Sequence, residues 1–261
     1  MAMPYVPEHK EPLSIIEKGW KSSHLTQYQG FWLPLKFLSG VMACPECFEA
    51  CKEDLILNTT PKSGTTWLKA LTFTILNRAR HDFHNHPLLT TNPRALVPYL
   101  DLDLYAEGKI PDLTNLPSPR LFSLHLPYEL LPTSIIKSNC RIIYLWYFEN
   151  SFLLEDEPPV SIDEAFELFH GGISTFEPFW EHLLVYWKAS LERPERVLFM
   201  KYEEHKEDPT FHLRRFAEFL GCPLSIEEER HSLVEKMERF CSFESLTSLE
   251  VNKIDRGLRC V

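Results

Sequence analysis

Asp54-Leu55-Ile56-Leu57-Asn58-Thr59-Thr60-Pro61-Lys62-Ser63-Gly64-Thr65-Thr66-Trp67 joins a short apolar run to an amphipathic one through a glycine-containing loop, and this junction decides the fold. Asp54 to Thr59 reads as a strand that Pro61 ends, and Thr65 to Arg78 carries apolar residues near helical spacing. The loop between them suits an anion. Gly64 lets backbone approach a ligand closely, and the amides of Gly64, Thr65 and Thr66 open the helix at the positive end of its dipole. Lys62 adds a full charge, while Ser63, Thr65 and Thr66 add hydroxyl donors. The plain alternative is a helix cap at Ser63 or Thr65 beside a solvated Lys62.

Outward from this junction the same alternation continues. Leu121 to Leu124, Arg141 to Tyr147 and Val197 to Lys201 read as further short apolar strands. Ile162 to His170, Phe179 to Leu191, Phe211 to Leu220 and Ile226 to Phe240 have helical periodicity. Ser161 and Glu164 form a capping pair for the first of these, and Gly171-Gly172 supplies its stop. Strands separated by helices imply an α/β fold, a P-loop-like three-layer arrangement with a central parallel sheet flanked by helices. Ligands in such folds sit at the carboxyl ends of the strands.

The 261 residues are read as one domain, residues 1–261, with no internal repeat and twenty prolines scattered through loops. Hydrophobic residues at 44% and charged residues at 25% give enough apolar mass for a core. A formal charge of −10 excludes a broad nucleic-acid or anionic-membrane surface, so an anionic ligand must be captured in a local basic pocket. The first eleven residues lack an apolar signal core, and Gly30 to Ala43 is interrupted by Pro34 and Lys36, which favours a cytoplasmic protein. Seven cysteines, an odd number in a chain of this size, read as reduced thiols. Cys44-Pro-Glu-Cys47 with Cys51 has no second pair to complete a zinc site and reads as a surface segment. His81, His84 and His86 fall in a polar stretch before Pro87 and read as a solvated loop. No metal is expected.

A nucleotide triphosphatase or kinase would need G-x-x-x-x-G-K-[ST] and a metal-binding aspartate after a later strand, and Ile142-Ile143-Tyr144-Leu145-Trp146 ends without one. A transferred sulfuryl group carries less negative charge than a terminal phosphoryl, so donors and a lysine suffice there without a cation.

Taken with Tyr28-Gln-Gly-Phe-Trp32, Ser118-Pro-Arg-Leu-Phe122, His125-Leu-Pro127, Trp187-Lys-Ala-Ser190, Lys201-Tyr-Glu-Glu204 and Lys206-Glu-Asp-Pro209, the loop resembles the cytosolic sulfotransferases, and in particular their plant members. The resemblance runs along most of the chain. It implies 3′-phosphoadenosine-5′-phosphosulfate (PAPS) as co-substrate and a small hydroxylated acceptor of the flavonoid, steroid, hydroxyjasmonate or desulfoglucosinolate class. It further implies that Lys62 contacts the bridging and leaving oxygens, that Ser63, Gly64, Thr65, Thr66 and Trp67 hold the 5′-phosphate, and that His125 is the base. Imidazole chemistry near neutral pH suits removal of a hydroxyl proton. Tyr202 matches the family tyrosine near the adenine, and Ser242-Phe243 resemble the segment that closes over it, although core packing and a helix end account for these residue types equally. Phe31, Trp32, Tyr105 and Phe176 could line an apolar acceptor pocket or belong to the core.

Two departures stand out. The family's Arg-x-Pro-Lys-Asp segment and following serine helix, which grip the donor's 3′-phosphate, are absent where Leu145 runs into Trp146-Tyr-Phe-Glu-Asn150, and Arg141 is at the wrong end of its strand to substitute. After Leu249-Glu-Val-Asn-Lys253 the family's basic-glycine segment does not appear either, and Arg256-Gly257 and Arg259 read as a frayed tail. Losing two charge-assisted hydrogen bonds of about 1.5–3 kcal/mol each would weaken donor binding by about two to four decades. Two functional readings follow: an active sulfotransferase, or a non-catalytic or vestigial relative with impaired donor binding.

Overall fold

The computed structural model describes residues 14–16, 24–146, 167, 170–173, 176 and 178–254. Seven strands lie among them: β1 (Ser14–Ile16), β2 (Leu25–Tyr28), β3 (Phe31–Pro34), β4 (Leu55–Thr59), β5 (Leu121–Leu124), β6 (Arg141–Trp146) and β7 (Val197–Lys201). The last four form a parallel sheet of order β5-β4-β6-β7. Leu55 is level with Leu121 on one side and with Arg141 on the other, so β4 is flanked by partners on both sides from Leu55 to Asn58, with Thr59 paired to β6 alone.

Side-chain alternation sends each strand into two cores. Ile56, Phe122, Leu124, Ile142, Tyr144 and Val197 pack with the helix Leu38–Cys47 and with Tyr186 and Ala189 of the helix Phe179–Glu192. Leu55, Leu57, Ile143, Leu145, Leu198 and Met200 pack on the opposite face against Leu68, Leu71 and Ile75 of the helix Thr65–Asn77 and Leu213 and Phe216 of the helix Pro209–Phe219. The expected three-layer architecture is thus present, and all five residues of β4 are buried, as a strand covered on both faces must be.

Several expectations need correction. No element was expected before Asp54, yet β1, β2 and β3 form a three-stranded antiparallel sheet, and the helix Leu38–Cys47 follows. Gln29 (φ 48) and Gly30 (φ 89) make the two-residue turn between β2 and β3, both with positive φ as such hairpins require. Cys44 lies on that helix fully buried, so Cys44 to Cys51 is not simply a surface segment, although Cys51 is exposed. His86 is likewise buried rather than solvated. Its Nδ1 accepts the Leu88 amide at 3.2 Å and its ring meets Phe73 and Phe240 edge-on.

Ile226 to Phe240 is two helices, Ile226–Arg230 and Leu233–Phe240, separated at Ser232 in the left-handed conformation (φ 53, ψ 39). The first buries nothing and is held by the Ser225–Glu228 capping box, whereas the second buries Val234 and Met237. The expected helix at 162–170, its Ser161–Glu164 cap, the junction after Trp146 and the tail beyond Ile254 fall largely or wholly outside the described residues.

Candidate active site

The loop between β4 and the helix Thr65–Asn77 has two residues with positive φ, Lys62 (67°) and Gly64 (84°). An added Cβ at Gly64 would meet only Leu145 Cδ2, at 3.5 Å, so glycine is demanded by backbone conformation rather than by crowding. Ser63 is buried and donates its hydroxyl to Thr60 O at 2.8 Å while also bonding the Thr60 hydroxyl, which pins the turn. Lys62 and Thr66 project exposed from it. Leu68 N donates to Gly64 O at 3.0 Å, and the amides before it form the open, donor-rich end of a thirteen-residue helix. Backbone donors of this kind at a helix start can receive an anion.

His125, just past β5, is bound to the same loop. Its Nδ1–H donates to Thr59 O at 2.7 Å, and Thr59 Oγ1 lies 3.3 Å from that nitrogen and 2.6 Å from Thr65 Oγ1. Two hydrogen bonds therefore connect the imidazole to the first helical residue of the cradle. With Nδ1 protonated, Nε2 carries the lone pair. Burial, opposed by the bond to Thr59 O and reinforced to a smaller degree by Lys69, His182 and Arg94, lowers the His125 pKa to about 3, so the ring is neutral at physiological pH.

The segment after His125 is held by side chains that sequence alone did not single out. Asn58 Nδ2 donates to Leu126 O at 2.7 Å and to Tyr186 Oη, whose own hydroxyl donates to Leu126 O at 3.0 Å. Tyr144 donates to His182 Nδ1 at 3.0 Å, which leaves His182 Nε2–H to reach His125 O at 3.3 Å. Tyr144 and Tyr186 are stacked at 4.3 Å. The one available signal was Asn58, a polar residue in an otherwise apolar run.

On the other side of the loop, Trp67 meets Tyr202 edge-on at 5.2 Å and His205 at 4.8 Å, giving a partly open aromatic wall. His205 Nε2 is 2.8 Å from Glu238 Oε1. Ser242 accepts the Ser245 amide at 3.2 Å as the cap of the helix Phe243–Ser248, and Phe243 is 76% exposed. That helix end lies near Tyr202: burial first, then the charges of Glu238 and Glu244, raise the Tyr202 pKa. Among the proposed acceptor-side aromatics, Phe176 stands 5.7 Å from the His125 ring and its amide donates to Trp32 O at 2.7 Å. Tyr105 belongs to the core against Phe48.

A sulfotransferase domain model matches residues 52–257, which include the cradle, His125, Tyr202 and Ser242. The chain belongs to the sulfotransferase family. Cytosolic sulfotransferase 15 of Arabidopsis thaliana is 45% identical over 258 residues, covering 93% of this chain and 72% of the relative. Flavonol 4′-sulfotransferase of Flaveria chlorifolia is 42% identical over 243 residues, covering 88% and 74%. A solved Arabidopsis thaliana protein described as a steroid sulphotransferase superposes with a TM-score of 0.74 at 39% identity, covering 95% of this sulfotransferase and 90% of that chain. Among the described residues no helix is long and apolar enough to cross a membrane, and no group of three or more His, Cys, Asp or Glu could hold a metal ion.

Arg141 is committed to the chain's own backbone in this sulfotransferase. Its Nη1 donates to Leu220 O at 2.9 Å, and its guanidinium lies against Gly221. It stands at the start of β6, opposite the strand end where the cradle lies.

Proposed function

We propose that this sulfotransferase moves a sulfuryl group from PAPS to a hydroxyl of a small metabolite, with His125 as general base and Lys62 at the departing phosphate. The Thr59 bridge carries this reading, since it couples the neutral imidazole to the cradle through bonds of 2.7 and 2.6 Å. His125 Nε2 takes the acceptor proton, the acceptor oxygen forms a bond to sulfur, and the bond from sulfur to the phosphate oxygen breaks in line. Lys62 and the amides of Gly64, Thr65 and Thr66 receive the charge that develops on the leaving oxygen. Ser63 shapes the turn for the 5′-phosphate, while Trp67, Tyr202 and the Ser242-Phe243 segment offer the aromatic wall for the adenine. Phe176 and Trp32 support an apolar acceptor site beside His125. Flavonoids and steroids are the first acceptors to test, followed by hydroxyjasmonates and desulfoglucosinolates.

Purified chain incubated with sulfur-labelled PAPS and this acceptor panel should label at least one acceptor in a His125-dependent manner. Absence of transfer by folded protein would remove the catalytic assignment.

The vestigial reading has its own support. The missing segment after β6 takes away the family's 3′-phosphate grip, and Trp180, Leu184, Trp187 and Leu191 leave an apolar stripe exposed at 45–63% on the next helix. Calorimetry with adenosine 3′,5′-bisphosphate separates the two. Tight binding rejects the vestigial reading, and binding weakened into the high micromolar range or beyond supports it.

A further inference from the structure

Lys69 is a lysine on the inward face of the helix Thr65–Asn77, flanked there by Leu68, Ala70, Leu71 and Thr72, and it is only 2% exposed. Its Nζ lies 3.3 Å from the centre of the Tyr99 ring. The same ring is 4.8 Å from the His125 ring, and Arg94 Cζ lies 5.5 Å from it. Tyr99 therefore has two cations against its π-system and the candidate base as a further neighbour.

Its position is rigid. The Tyr99 amide donates to Asp103 Oδ2 at 3.0 Å, Asp103 is gripped by Arg94, and Tyr99 bridges to Ser123 of β5 two residues before His125. A positive charge on His125 would be the third around one aromatic ring, in a site with little water to screen it.

We infer that Lys69 is a positioning residue for His125: set against the same Tyr99 ring, its buried ammonium opposes a charge on the imidazole and so tunes how readily Nε2 takes up a proton. The inference rests on the assignment of His125 as the base. Every charged or titratable group around the imidazole fits it. Lys69 and Arg94 oppose protonation, and His182 does so from the helix Phe179–Glu192. Asp103 is neutralised by Arg94. Asp101 is the remaining carboxyl nearby. It is fully buried, and burial, only partly offset by backbone amides of its own turn and by Lys69, pushes its pKa up to about 7, so at neutral pH it cancels only part of the Lys69 charge.

The test follows the His125 ring by carbon- and nitrogen-resolved NMR from pH 8 to pH 4, with no donor or acceptor present. In the unmodified chain the ring should remain neutral, with Nδ1 protonated, throughout. In Lys69→Met its titration should move upward by about one unit or more, as expected when a like charge within a few ångströms is removed. The acid limb of kcat/KM should move in the same direction, and Lys69→Arg should restore both. An unchanged His125 titration in folded Lys69→Met overturns the inference. Should that variant not fold, Lys69→Met with Asp101→Asn removes the buried charges together; an upward shift in that double variant supports the inference, and no shift overturns it. Because the titration needs no turnover, its outcome stands apart from whether the chain transfers sulfuryl groups at all.

Discussion

His125 has two ring nitrogens, and the fold gives each a separate task. Nδ1 is spent on the Thr59 carbonyl, which leaves Nε2 as the basic atom. Replacing His125 with Gln removes the base and should lower kcat by about 10²–10⁴-fold. Calorimetric binding of adenosine 3′,5′-bisphosphate should be unchanged, since the imidazole is not among the groups assigned to the phosphates. Gly64 makes a second residue-scale case. At φ 84 an alanine pays a left-handed strain of about 1–2 kcal/mol even though there is room for its methyl group. Gly64→Ala should therefore lower the urea-unfolding free energy by that amount and weaken bisphosphate binding, because relief of the strain means reshaping the cradle. The glycine was legible in the sequence as a loop residue. The role of Ser63 was not, since a hydroxyl spent on Thr60 O and a hydroxyl free for a ligand look the same in a one-letter string.

At the scale of elements, β5 and β7 lie where their apolar runs predict, β4 begins one residue later than expected, and β6 follows its expected course as far as Trp146, where the described residues stop. Strands buried on both faces leave a continuous apolar signature, which is why they were readable. The N-terminal hairpin was missed because Leu25–Tyr28 and Phe31–Pro34 are four residues each, and their turn depends on Gln29 adopting a positive φ that glutamine does not advertise. The helix Leu38–Cys47 contains Pro45 and is made of residues with weak amphipathic contrast, so its pattern was equally faint. Its placement depends on Gly40. A Cβ there would sit 2.0 Å from the backbone oxygen of Asp101, which has no flexible end to swing away. Gly40→Ala should therefore cost about 3 kcal/mol or more, measured as a fall in urea midpoint with unchanged m-value. A neutral outcome would mean that the contact between this helix and the Leu100–Leu104 turn is loose.

For the whole molecule, burial of ionisable groups links stability to pH. Burial lowers the pKa of His125 to about 3 and those of His86 and His182 to about 4. The unfolded chain takes up these protons near pH 6.5 while the folded chain does not, so each group withdraws stability as pH falls from about 6.5 toward 4, by about 1.4 kcal/mol per unit. Asp101 works the other way. Its folded pKa of about 7 lies above its ordinary value, so protonation favours the fold across the same range. Three imidazoles outweigh one carboxyl, and the urea midpoint should fall between pH 6.5 and pH 4.5. A midpoint that is flat or rising over that interval would show that the imidazoles are hydrated in the native state.

The sequence by itself determined the α/β class, the phosphate-type loop and the family, because apolar periodicity, a glycine at a strand-to-helix junction and a run of matched segments are all local and each is written in consecutive residues. Only the tertiary structure decided how His125 meets Thr59, that Tyr99 touches both Lys69 and the imidazole, and that Arg141 is bound to Leu220. Those contacts join residues that lie far apart in the chain. Hydrogen-bond direction, burial and charge proximity depend on where the helices set each side chain against the sheet, a property of packing that no single stretch of sequence contains.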